Sequence, residues 1–144
     1  MREILFRGKR ICEKKNWVEG CLLNMDEDSG HVFIVPFFCN ASTIPISRLV
    51  EYTSAYVNPK TVGQFTGLFD KNGKKIFEGD ILKFHKFKGE PDWLGFVRYD
   101  ISMFVIEGEQ PVDNGGFEVQ LCSIDRKRCE IIGNIHDNPE LLEG

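Results

Sequence analysis

A chain of 144 residues and 16.5 kDa is long enough to bury about 70% of its extended surface without a disulfide or metal staple. Its 42% hydrophobic and 28% charged residues exclude wholesale disorder. The formal net charge of −4 argues against a general nucleic-acid coat, which is held to phosphates by basic surface.

In chain order, residues 2–7 (R-E-I-L-F-R) are a short β-prone run, and residues 8–16 are polar and turn-like. Residues 17–23 (W-V-E-G-C-L-L) read as a strand that Gly20 weakens or bulges. The acidic D-E-D-S-G at 26–30 supplies a hairpin loop into residues 31–38 (H-V-F-I-V-P-F-F), the most apolar strand of this half. Pro36 has no ladder donor, so this strand is expected at a sheet edge or broken there. Residues 40–52 are ambiguous between irregular strand and a helical turn, and residues 57–63 (V-N-P-K-T-V-G) read as a junction.

Residues 64–69 lead into Asp70-Lys71-Asn72-Gly73, where Asp70 is expected to cap a turn and Asn-Gly to tolerate positive φ. Residues 75–77 pair back. Gly79 then supplies a bend, and Asp80 bonds nearby amides before the strand 81–84. Further strands are expected at 95–99, 103–107, 117–124 and 129–135, a spacing that suggests a small barrel or rolled antiparallel sheet. At the end, Asn138 is expected as N-cap of a short helical turn beginning at Pro139, with Glu140 in its first turn. Twelve phenylalanines fit strands with a buried face. The expected fold is mainly β: an N-terminal β subdomain, residues 1–60, packed with a C-terminal small β-barrel, residues 61–144.

The five cysteines (Cys12, Cys21, Cys39, Cys122, Cys129) are odd in number and scattered, with no C-x-x-C and no zinc-finger histidine spacing. Reduced thiols follow. His31, His85 and His136 are far apart, so no metal and no cofactor are expected. Cys12 has Arg10, Lys14 and Lys15 nearby but no identifiable base, and reads as an idle thiol. The N-terminal apolar run is too short for a signal peptide and no stretch approaches the roughly 18 apolar residues of a membrane helix, so a cytoplasmic protein is expected.

The run T-V-G-Q-F-T-G-L-F-D-K-N-G-K-K-I-F-E-G-D-I-L, the later G-F-V-R-Y, the ending E-I-I-G-N-I-H-D-N-P-E-L-L-E and the opening R-E-I-L-F-R-G-K resemble the YopX family of small phage and prophage proteins. Residues 1–8 and 61–144 carry the resemblance, and 9–60 match more loosely. It implies a mainly β protein working in a bacterial host cell, and no catalytic residue is carried over. The shared positions (Gly67, Asp70, Gly73, Gly79, Asp80, Gly133, Asn138, Pro139) are mostly turn and cap types.

Charge is segregated along the chain. Residues 1–16 and 71–88 each carry six basic and two acidic side chains, and residues 107–118 carry four acidic and none basic. Lys83, His85, Lys86 and Lys88, interleaved with Phe84, Phe87 and Trp93, have the composition of a surface where cations meet phosphates and rings stack on bases. Set against this, lysines on an exposed strand also deter edge pairing. Arg126, Lys127 and Arg128 read as a hairpin tip that can also grip phosphate or an acidic partner. Asp70, Glu78 and Asp80 have the types of a Mg²⁺ or acid–base site, but turns already employ such aspartates. The apolar strand 32–38, if an exposed edge, would be covered by self-pairing in a homo-oligomer. The leading expectation is therefore a non-enzymatic binding module engaging a protein partner or further copies of itself. The alternative is a nucleic-acid-binding module using 83–88 and 126–128.

Overall fold

The computed structural model describes residues 3–12, 16–24, 30–36, 55–85, 88–111, 113 and 115–143, and all structural statements concern these. The chain divides into two compact units, Met1–Gln64 and Phe65–Gly144.

In the first unit, β1 (Phe6–Lys9), β2 (Trp17–Asn24), β3 (Val32–Pro36) and β4 (Ala55–Val57) form antiparallel neighbours in the order β4-β3-β2-β1. The first residues of β5 (Gly63–Phe69) pair with β1 through Gln64 and Gly63. Val18, Ile34, Ala55 and Val57 make the core, with Phe6, Leu22, Val32 and Val62 against it. The predicted weakness at Gly20 has a different cause from a bulge. The registers of β2 with both neighbours run through it unbroken, and a Cβ there would stand 1.9 Å from the Val35 carbonyl oxygen. The backbones approach too closely for a side chain.

The expected edge at 32–38 is corrected. β3 is flanked on both sides, since Val32, Phe33 and Ile34 pair with Val57, Tyr56 and Ala55 of β4 while its other side pairs with β2. Pro36 sits at the last position, opposite Gly20, beyond the three residues that β4 covers. A short strand unrecognised in the sequence thus occupies the edge, and self-pairing through β3 loses its basis. Residues 37–54, including Cys39, lie outside the described residues. At the junction, Asn58 Oδ1 accepts from Lys60 N at 3.1 Å, and Thr61 Oγ1 donates to Asn58 O at 2.7 Å and accepts from Lys9 N at 2.9 Å.

In the second unit, the remainder of β5 pairs with β6 (Lys75–Phe77). The strands β7 (Asp80–Phe84), β8 (Trp93–Asp100), β9 (Met103–Glu109), β10 (Gly116–Gln120) and β11 (Cys129–Asn134) form an antiparallel sheet ordered β10-β9-β8-β7-β11. Period-two alternation gives it an inner face, where Leu82, Phe84, Val97, Ile106 and Cys129 join Ile76 and Leu121 in the core.

This sheet is open, and the barrel expectation is not met. Closure would pair β10 with β11, but the two are its opposite edges. The strand expected over 117–124 ends at Gln120, and the chain crosses between edges through two 3-10 turns, Leu121–Ser123 and Arg126–Arg128. Leu121, 3% exposed, turns into the core, so apolar surface that strand pairing would otherwise have covered is buried by a side chain of the connection. The terminal turn forms at Pro139–Leu142 as a 3-10 turn with Pro139 at its start, but Asn138 does not cap it through its side chain. Asn138 Oδ1 instead faces back, accepting from Asn134 N at 3.4 Å.

Candidate functional site

The acidic trio resolves into turn chemistry. Gly79 has φ 84°, and Asp80, 1% exposed, accepts from Phe77 N through Oδ2 at 2.8 Å. Asp70 Oδ1 accepts from Asn72 N at 2.8 Å and Lys74 N at 2.9 Å, and Oδ2 accepts from Ile131 N at 3.1 Å. Burial pushes the Asp70 carboxyl up, but the amides of Lys74, Ile131 and Asn72, with the Lys74 charge, outweigh it and hold the group below the usual carboxylate range. Among the described residues, no three His, Cys, Asp or Glu side chains form a group that could hold a metal ion.

The two basic segments meet. Phe84 pairs with Cys129, and His85 N donates to Arg128 O at 3.3 Å, so the end of β7 and the 3-10 turn before β11 lie at one end of the sheet. Asp125 Oδ1 holds that turn by accepting from Lys127 N at 3.0 Å. Arg126, Lys127 and Arg128 are exposed, as is Lys88. Arg128 lies 3.7 Å from Asp125, whereas Arg126, Lys127 and Lys88 make no ion pair among the described residues. Lys86 lies outside the described residues.

The remaining candidates at this end are engaged. Lys83 Nζ stands 2.7 Å from Asp92 Oδ2, and His85 Nδ1 stands 3.0 Å from Asp92 Oδ1. The Lys83 contact raises the lysine's pKa and lowers that of Asp92. The expected interleaving of cations and rings is split between faces. Lys83 points outward, while Phe84 is fully buried and Trp93 packs against the core with its ring 4.8 Å edge-on to Phe117.

On the outer face of the same sheet, a groove of about 460 Å³ runs between Leu94 and Phe96 of β8 and Leu141 and Leu142 of the terminal turn, with Asp92, Glu107 and Glu109 at its rim. Arg98 bridges Glu107, Glu118 and Asp100, neutralising part of that acidic surface.

At the other end, the β8–β9 hairpin turns through Ile101 and Ser102 between the paired Asp100 and Met103. Ile101 has φ 49°, the sole positive value outside glycine among the described residues, and is 93% exposed. Tyr99 at 52% and Met103 at 40% flank it. Sequence reasoning passed over this tip, although the signal was present in Y-D-I-S-M-F: a β-branched apolar residue stands where a two-residue hairpin turn calls for Gly, Asn or Asp.

Comparison with solved structures finds the crystal structure of protein EF1440 from Enterococcus faecalis, 27% identical over 99% of both chains, with a TM-score of 0.54. No curated protein matches. The profile described as YopX protein matches residues 5–143, including the stretch 9–60 where the motif resemblance was loose. The chain belongs to the YopX family.

Proposed function

We propose that this chain is a phage- or prophage-encoded accessory protein of the bacterial cytoplasm, non-enzymatic, acting as a protein-interaction or homo-oligomeric binding module. The observation that supports it is the tip formed by Tyr99, Ile101 and Met103. A fully exposed isoleucine in left-handed backbone is costly for the isolated fold on two counts, conformation and hydration, and such local costs are tolerated where a surface is used. The phage setting rests on family membership. Light scattering over a concentration series tests the homo-oligomeric form. A mass that rises with concentration supports it, and a monomer mass throughout removes it.

A second reading has its own observation. The His85–Arg128 hydrogen bond gathers Lys88, Arg126, Lys127 and Arg128 at one sheet end, an arrangement suited to a phosphate backbone. In this reading the end binds nucleic acid by charge, without base stacking by the half-buried Trp93.

A further inference from the structure

We infer that the β8–β9 tip of one copy seats in the outer groove of a second copy, so that the chain associates head to tail. The inference rests on the homo-oligomeric reading and names its two surfaces. Both halves of the contact are present in one unit of one chain. The knob is Ile101 with Tyr99 and Met103, and the socket is the apolar wall made by Leu94, Phe96, Leu141 and Leu142. A socket of about 460 Å³ lies within the range that accepts a small apolar ligand, and so takes an aliphatic side chain with its neighbours.

Charge favours this occupant. The tip's carboxylate, Asp100, lies 3.1 Å from Arg98, so the knob brings no unpaired charge into the groove. At the rim, Asp92 is paired with Lys83 and Glu107 with Arg98. An uncharged knob meets a wall whose facing carboxylates are mostly compensated. An acidic peptide would be repelled by Glu109, which makes no ion pair among the described residues.

Position decides the symmetry. Leu94 begins β8 and Ile101 follows its end, so socket and knob stand at opposite ends of one hairpin, separated by roughly 24 Å at the rise of an extended strand. Two different patches joined in this way make a heterologous contact, which continues from copy to copy as a ring or a chain. Area decides the strength. Three knob side chains fall well short of the roughly 20–30 residues a side of a standard interface, so the link is reversible and concentration-dependent rather than an obligate dimer.

Sedimentation velocity on the full chain, with two variants, provides the test. Ile101→Asn removes the knob while supplying a residue that accepts positive φ, and Leu141→Asp places a charge in the socket at a half-buried surface turn. The native chain is expected to shift to larger species as concentration rises, and each variant alone to remain monomeric. Mixed, the two should form a 1:1 dimer and nothing larger, because the intact socket of one takes the intact knob of the other. Thermal melts establish that both variants are folded. If the native chain associates and Ile101→Asn associates equally, the tip-in-groove contact is wrong while the homo-oligomeric reading stands. If the native chain stays monomeric, both fall. Binding of the monomeric native chain to phosphatidylcholine vesicles, abolished by Ile101→Asn, would assign the tip to a lipid surface and overturn the inference.

Discussion

Asp70 and Ile131, 61 residues apart in sequence, are joined by a 3.1 Å hydrogen bond from the Ile131 amide to the Asp70 carboxylate. The same carboxylate closes its own turn onto Asn72 and Lys74, so one side chain ties the β5–β6 hairpin to the edge strand β11. Asp70→Ala removes an ionised acceptor of three amides and should cost about 2–4 kcal/mol, read from urea unfolding monitored by tryptophan fluorescence. A loss under about 0.5 kcal/mol would show that water replaces the carboxylate freely.

The pH dependence follows with a definite sign. The folded Asp70 pKa is depressed, so its contribution is fully present above the unfolded aspartate value of about 3.9 and is lost as pH falls through the lower folded value. Stability of the native chain should therefore fall in this acid window more steeply than that of Asp70→Asn. Parallel acid titrations of the two would refute the assignment.

Gly79 is required by conformation rather than by crowding. Its φ is 84°, while the nearest atom to an added Cβ, Ile135 Cγ1, would be at an ordinary 3.5 Å. Gly79→Ala should cost about 1–2 kcal/mol from backbone strain alone, with the fold retained in circular dichroism. Ile101→Asn changes the turn in the opposite direction and should raise stability by about 0.5–1 kcal/mol, measured by calorimetry at a concentration where the native chain is monomeric.

Cys129 is 2% exposed, and burial, with the Asp70 charge adding to it, pushes its thiol up to about 12. It should resist iodoacetamide at pH 8 in the folded chain, while Cys12, Cys21 and Cys122 are exposed and react. Peptide mapping after alkylation checks this, and prompt labelling of Cys129 without denaturant would contradict the packing of β11 on β7.

For the nucleic-acid reading, the ion pairs rank the cations. Lys83 is already held by Asp92, whereas Arg126 and Lys127 make no ion pair among the described residues. Reversing Arg126 and Lys127 to Glu should flatten the plot of log affinity against log salt by about one unit or more for each phosphate left without its cation, and Lys83→Glu should matter less. Absence of retention at low salt would end this reading.

The local elements were legible in the residues because their determinants are local. Alternating apolar side chains marked most strands, and Asp70, Gly73, Gly79 and Asp80 marked turns through bonds or φ values set within four residues. Tertiary structure decided what separation in sequence hides. It placed a three-residue strand, Ala55–Val57, against β3 and so removed an expected edge; it turned Leu121 into the core and left the sheet open. It also brought His85 to Arg128 and set Phe84 and Lys83 on opposite faces. Strand order, edge and face are fixed by which distant backbones exchange hydrogen bonds and which side chains fill the shared core, and neither is written in any short window of the chain.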